Sequence, residues 1–296
     1  MRITKNLSFQ NFKKISISKK KFRELREDLY TLLNGDNEII KSFSKNYQYS
    51  FDKEITKTVK KFTEFNLIGM GGSSLGMRSI YYFLSHKIKK KIFFIDDLDS
   101  NILKYNRSKI NIIISKSGDT LETIVNSNVI MNKKNLNFFI TEEKESFLRK
   151  ISSKLNSIVI NHNQKIGGRY SVMSEVGMFP SMLLDLNLNK FKVLEKIKKN
   201  KKFINAIVEN TLKTVRIVKK KKFNSIILNY DQLSSDLFYW YQQLTAESLS
   251  KNRNGFLPVV SQMPRDNHSL MQLYLDGIKN NFFTFFFVKI FCVAKN

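Results

Sequence analysis

The sequence predicts an α/β fold, with two parallel sheets flanked by helices and the second unit smaller and incomplete. Three observations lead there. Short apolar runs alternate with helix-like stretches at the spacing of strand–helix–strand crossovers. Two loops rich in Gly and Ser follow two of those runs, at the carboxyl ends where such sheets hold ligands. The alternation then restarts near Leu188 and stops abruptly.

Along the chain, residues 1–60 are expected to be mostly helix and connection, with RELREDLYTLL amphipathic. Residues 61–187 make the first sheet unit. FNLIGM is its first strand, followed by Gly71-Gly72-Ser73-Ser74 and the helical SLGMRSIYYFL. KKIFFIDDLD is the second strand and NIIIS the third, leading into a helix within DTLETIVNSNVIM. NFFITEE and SIVINH are further strands, separated by the helical SFLRKISSKL, and VMSEVGMFPSMLLDL is a helix. Crossovers between such strands are right-handed by default. Residues 188–296 make the second unit. A long basic helix over about Lys190–Lys222 leads into strand FNSIILNY, helix SSDLFYWYQQLTAESL, strand FLPVVSQM, helix HSLMQLYLDG and strand NFFTFFF.

The 296 residues suffice for one large or two ordinary domains, and 42% apolar residues make the chain globular rather than disordered. The net charge of +26 raises the question of a polyanionic partner. The lysine runs (Lys19–Lys21, Lys89–Lys91, Lys198-Lys199, Lys219–Lys222) are scattered, with few arginines and no interleaved aromatics. Lys, Asn, Ile and Phe also share A/T-rich codons. No nucleic-acid partner is expected, although a positive field would help draw in an anionic substrate. The single cysteine, Cys292, excludes an internal disulfide and a thiolate metal cluster, and fits a cytoplasmic location. The N-terminus has no apolar run suited to a signal peptide. The most apolar segment, Phe282–Ala294, is shorter than the ~20 residues of a membrane span and carries Lys289, so a buried strand is expected and no membrane partner.

The third strand ends in Ser115-Lys116-Ser117-Gly118-Asp119-Thr120, before a helix. Backbone N–H groups and hydroxyls converge there, which suits a phosphate, and Gly118 permits a tight turn. Plain helix capping by Asp119 or Thr120 would use the same residue types. The loop Gly69–Gly76 is a second candidate at an equivalent place. Its third glycine would have to fall at Ser74 for a dinucleotide fingerprint, so that signature is absent. Gln243 and Glu247 lie four apart on one predicted helix and share a face. Arg169 follows two glycines that would let its backbone approach a ligand, and His268 begins a helix in PRDNHS. His86 and His162 have no supporting context and are expected to be structural or on the surface. No metal-ligand cluster and no cofactor signature occur.

Taken together, GMGGSSLG, ISKSGDTLETI, GGRYSVMSEVGMFP, QQLTAESLSK and LPVVSQMPRDNHSLMQLYLDG, in this order and spacing over about Asn66–Phe287, resemble the phosphoglucose isomerase family. The resemblance implies two sugar-isomerase (SIS) subdomains and the interconversion of glucose 6-phosphate and fructose 6-phosphate through a cis-enediol, without metal or cofactor. It implies a phosphate site at Ser115, Lys116, Ser117 and Thr120, with Gly72 and Ser73 against the sugar. It makes Glu247 the catalytic base, with Gln243 one turn earlier, and places Arg169 beside the developing enediolate. His268 would help open the sugar ring from the neighbouring subunit, which implies a homodimer with shared active sites. The family continues into C-terminal helices that carry a further lysine. Here KIFCVAKN departs from the family, and Lys289 and Lys295 stand in no matching motif, so a truncated or frame-shifted product with slowed ring opening is expected. A regulatory SIS module that binds a sugar phosphate, or an inactive fragment, would keep Ser115–Thr120 without needing Glu247, Arg169 and His268 together.

Overall fold

A computed structural model describes residues 15–98, 110–252 and 254–288. They form two compact units, one of Asp28–Asn200 and the other of Lys201 onward with the described residues before Asp28.

The first unit is built on a five-stranded parallel sheet. Its elements are α1 (Lys19–Asn34, which crosses the boundary), α2 (Glu38–Lys41), α3 (Ile55–Val59), β1 (Glu64–Ile68), α4 (Leu75–Phe83), β2 (Lys91–Ile95), β3 (Ile110–Ile114), α5 (Leu121–Ile130), β4 (Leu136–Thr141), α6 (Phe147–Lys154), β5 (Ile158–Asn161), α7 (Glu175–Leu183) and α8 (Leu194–Lys199). The strand order is β2-β1-β3-β4-β5. Every residue of the central strand β3, Ile-Asn-Ile-Ile-Ile, is buried, as expected of a parallel strand covered on both faces. Successive side chains point to opposite faces. Phe139 accordingly joins Ile68, Ile113, Ile130 and Leu148 in one cluster under α5 and α6. Phe138 meets Phe179 of α7 on the other face, ring centroids 5.0 Å apart. Each such buried side chain contributes about 2 kcal/mol of transfer free energy.

The polar residues inside this sheet fix its register. Asn66, Asn111 and Asn137 are partners across β1, β3 and β4. Asn66 Nδ2 donates to Asn111 Oδ1 at 2.9 Å, and Asn111 Nδ2 donates to Asn137 Oδ1 at 2.8 Å. Asn137 Nδ2 closes the ladder on the carbonyls of Asn132 and Asn135. A slip by one residue would strand these amides without partners.

The second unit holds α9 (Lys201–Lys219), β6 (Asn224–Asn229), α10 (Ser235–Leu249), β7 (Leu257–Gln262), α11 (Met271–Asp276) and β8 (Asn281–Phe286). The sheet is parallel, in the order β7-β6-β8. Ile226, Leu228, Met263 and Tyr274 form its core.

Two expectations are corrected. The basic stretch Lys190–Lys222 is not one helix. It is a 3-10 turn (Leu188–Phe191), α8 and α9, broken at Asn200, whose ψ of 80° leaves the helical region. The apolar tail does begin as a strand, β8, but it is an edge strand and not a buried one. Phe285 is 64% exposed and Phe287 59%. The remainder of that segment, with Lys289 and Cys292, lies outside the described residues, as does the start of the N-terminus. No helix among the described residues is long and apolar enough to cross a membrane.

Candidate active site

In the five-stranded sheet the order reverses between β1 and β3. The chain leaves β1 to one side for β2 and returns on the other side as β3. The loops after β1 and β3 therefore flank the switch point, where the carboxyl ends of adjacent strands leave a crevice.

The loop after β3 is tied together by its hydroxyls. Ser115 Oγ lies 2.9 Å from Thr120 Oγ1 and 3.4 Å from Ser117 Oγ, and it accepts the Gly118 amide at 3.1 Å. Ser117 Oγ accepts the Asp119 amide at 3.2 Å. Gly118 has φ +75°, and a Cβ there would sit 2.2 Å from Ser146 Oγ, so both conformation and space require glycine. The capping alternative fares poorly. Thr120, at the N-cap of α5, makes no side-chain cap bond. Asp119 instead accepts the Phe147 amide at 2.8 Å, at the start of α6. The amino end of α5 thus keeps its positive pole beside three hydroxyls. The Lys116 ammonium is held by Glu142 at 3.1 Å and by the Gln164 carbonyl at 3.0 Å.

The loop after β1 packs against the turn that carries Arg169. A Cβ on Gly72 would lie 2.4 Å from the Gly168 carbonyl carbon and 2.6 Å from the Arg169 nitrogen. Only glycine lets these two backbones touch. Ser171 Oγ donates to the Gly168 carbonyl at 2.6 Å and locks the 3-10 turn Gly168–Met173. The Arg169 guanidinium lies 4.7 Å from the ring centroid of Tyr170, within cation–π range. Ser73, half-buried, closes the β1 loop with its amide on the Met70 carbonyl at 3.0 Å. The fold therefore joins Gly72 and Ser73 to Arg169, and Ser115 to Ser117 and Thr120.

In the three-stranded unit, α10 runs back along the sheet from β6 to β7. Gln242 Nε2 donates to the Pro258 carbonyl at 2.7 Å and pins the carboxyl half of α10 to the start of β7. One residue on, Gln243 Nε2 donates to Glu247 Oε1 at 2.7 Å on an open face of the helix, where Glu247 is exposed. His268, also exposed, ends the 3-10 turn Arg265–His268 past the far end of β7. Buried Asp266 organises this turn, accepting the Gln262 amide at 2.7 Å and Ser261 Oγ at 3.1 Å. Burial pushes the Asp266 carboxyl up, but these bonds and Arg265 outweigh it and hold the group below its ordinary value. From Pro258 to Gln262 the strand advances ~3.3 Å per residue. Glu247 and His268 thus sit at opposite ends of one sheet and do not meet within this unit.

One buried group, Glu175, escaped the sequence reading, and His162, expected to be structural or on the surface, is buried beside it. Glu175, the first residue of α7, accepts Tyr47 Oη at 3.3 Å and the Ser50 amide at 3.4 Å, and burial pushes its carboxyl up. His162 Nδ1 lies 4.0 Å from Glu175 Oε2, and neither ring nitrogen of His162 makes a hydrogen bond. Burial, with Lys116 nearby, lowers the His162 imidazole to about 4. The available signal was an acid inside the apolar run VMSEVGMFP.

The phosphoglucose isomerase family model matches residues 27–256, the span that holds both loops, Arg169 and the Gln243–Glu247 pair. The chain belongs to the phosphoglucose isomerase family. It is 34% identical over 273 residues to the glucose-6-phosphate isomerase of Methanocaldococcus jannaschii, covering 86% of this chain and 67% of that relative. Over 317 residues it is 28% identical to the probable glucose-6-phosphate isomerase of Methanococcus maripaludis, covering 95% and 70%. To the Mycoplasma genitalium enzyme it is 31% identical, covering 83% and 63%. The chain spans about two thirds of these relatives. Solved structures share the fold. A hypothetical protein from Thermus thermophilus gives a TM-score of 0.67 at 22% identity, over 89% of this chain and 69% of that one. The tagatose-6-phosphate ketose/aldose isomerase of Escherichia coli gives 0.57 at 13% identity, over 90% and 71%. The family as a whole points to sugar-phosphate isomerisation, and the α/β architecture with two parallel sheets agrees with it.

Proposed function

We propose that this chain interconverts glucose 6-phosphate and fructose 6-phosphate, as the relatives are named to do. The observation that carries the proposal is the loop Ser115–Thr120, whose hydroxyls gather at an α5 terminus that Thr120 leaves uncapped. The phosphate sits there, on Ser115, Ser117 and Thr120, with Lys116 adding charge and Gly72 and Ser73 facing the sugar. Binding the phosphate does no chemistry itself. It supplies remote binding energy that positions the two reacting carbons.

Glu247 removes the proton from C2 of the open-chain aldose and returns it to C1, while the proton of the C2 hydroxyl passes to O1. One carboxylate serves both carbons because they lie on one face of the cis-enediol. Gln243, already bonded to Glu247, sets the orientation of the carboxylate. Arg169 stays protonated throughout, so it stabilises the negative charge that grows on oxygen without competing for the proton. His268 moves the ring-opening proton. It comes from a second copy of the chain, because Glu247 and His268 lie at opposite ends of one sheet. The exposed Glu247 gains its basicity when substrate and that second copy remove it from water.

A coupled assay for fructose 6-phosphate conversion tests the proposal. Glu247→Gln is expected to lower kcat by about 10³-fold while phosphate binding is kept. Turnover by the variant at the wild-type rate rejects Glu247 as base. Phosphate binding without turnover in both proteins favours a sugar-phosphate-binding module, which the exposure of Glu247 would then explain.

A further inference from the structure

A polar cavity lies elsewhere in the five-stranded unit. It measures about 370 Å³ and is lined by Lys45, Tyr47, Tyr49, Asp52, Lys53 and Lys192 among others. None of the residues of the β1 and β3 loops lines it.

One of its lining residues, Lys192, is 8% exposed. The ammonium donates to the Ser42 carbonyl at 2.9 Å and lies 4.2 Å and 5.0 Å from the ring centroids of Tyr49 and Tyr47. Among the described residues it forms no ion pair with a carboxylate. One carbonyl and two ring faces leave much of its lost hydration uncompensated. Burial accordingly lowers its pKa to about 8, with the charge of Glu175 working against the shift and that of Lys53 adding to it. The Tyr49 hydroxyl is also buried and has no partner. A purely structural tie between Lys192 and Ser42 would gain nothing from further cations nearby. Yet Lys45 and Lys53 open onto the same cavity, and Asp52 is the one acid among its lining residues, which leaves that lining two positive charges in excess.

We propose that this cavity binds a small dianion such as a phosphomonoester, seated on Lys192 with Lys45 and Lys53 at its rim. The dianion matches the excess charge, adds a second acceptor beside the Ser42 carbonyl for the buried ammonium and offsets the repulsion between Lys192 and Lys53. The tyrosine faces accommodate whatever apolar portion the anion carries. Because the site shares no lining residue with the β3 loop, it stands independently of the isomerase proposal.

Equilibrium dialysis with inorganic phosphate at low salt tests it. The S117A/T120V variant, which dismantles the loop after β3, is expected to keep one bound phosphate per chain. Adding K192M removes that phosphate. Adding K45M/K53M instead, which touches only exposed side chains and spares the fold, weakens it about tenfold. Absence of phosphate on S117A/T120V overturns the proposal, as does binding that neither set of lysine changes moves. If wild type binds a single phosphate that K192M abolishes, the cavity stands and the β3 loop loses its assigned role.

Discussion

Gly118 stands in the left-handed region with Ser146 Oγ where a side chain would begin. Gly118→Ala is therefore expected to cost about 2–3 kcal/mol in urea unfolding and to weaken phosphate binding at least about tenfold. Unaltered values for both would mean that the loop has another shape. Glu175 gives a prediction of the opposite sign. Its folded carboxyl titrates above the ordinary value because of burial, so the folded state holds the proton more tightly than the unfolded one. Its contribution to stability is full below the unfolded pKa of about 4.3 and is lost as pH rises through the folded value. Glu175→Gln should raise the melting temperature near neutral pH and leave it unchanged near pH ~4. A loss of stability at neutral pH would show that the carboxylate is compensated after all. These residues also mark what the sequence could and could not disclose. A glycine among hydroxyls at a strand end is a local signature. The burial of Lys192 depends on a carbonyl 150 positions away, so in a lysine-rich chain it looks like one more surface charge.

At the scale of elements, each of the eight strands among the described residues overlaps an apolar run of the sequence, because strands of a parallel sheet need apolar residues on both faces. What the runs do not disclose is their surroundings. NFFTFFF is as apolar as a central strand, yet among the described residues it pairs on one side only. Its neighbourhood leaves Leu273, Leu275, Ile278, Phe285 and Phe287 exposed. Phe285→Thr should change unfolding stability by less than about 0.5 kcal/mol while reducing concentration-dependent light scattering. Undiminished scattering would clear this edge as the source of association. The amide ladder was equally hidden. Asn in three strands reads as a weak point in each, and becomes a register lock only once the three lie side by side. Asn111→Leu should destabilise by about 2–4 kcal/mol, since it strips partners from Asn66 and Asn137 at once. A near-neutral substitution would show that the ladder does not hold the register.

For the whole molecule, the separation of Glu247 from His268 along one sheet turns the shared-site proposal into a mixing experiment. Glu247→Gln and His268→Ala, each inactive alone, are unfolded together and refolded as an equal mixture. Half of the random dimers then pair one variant with the other, and each of these holds one intact site. About a quarter of wild-type turnover should return. Silence from the mixture, with active wild type treated identically, rules out sites assembled across copies.

Gly72 bears on all of this. Where its neighbours meet the Arg169 turn, the two backbones rest on each other with a hydrogen atom between them. That gap is set by hard repulsion and not by a compliant bond. Thermal motion can widen it and nothing can narrow it, so the Arg169 backbone inherits a floor beneath its approach to the β1 loop, and a methyl group on Gly72 would raise that floor.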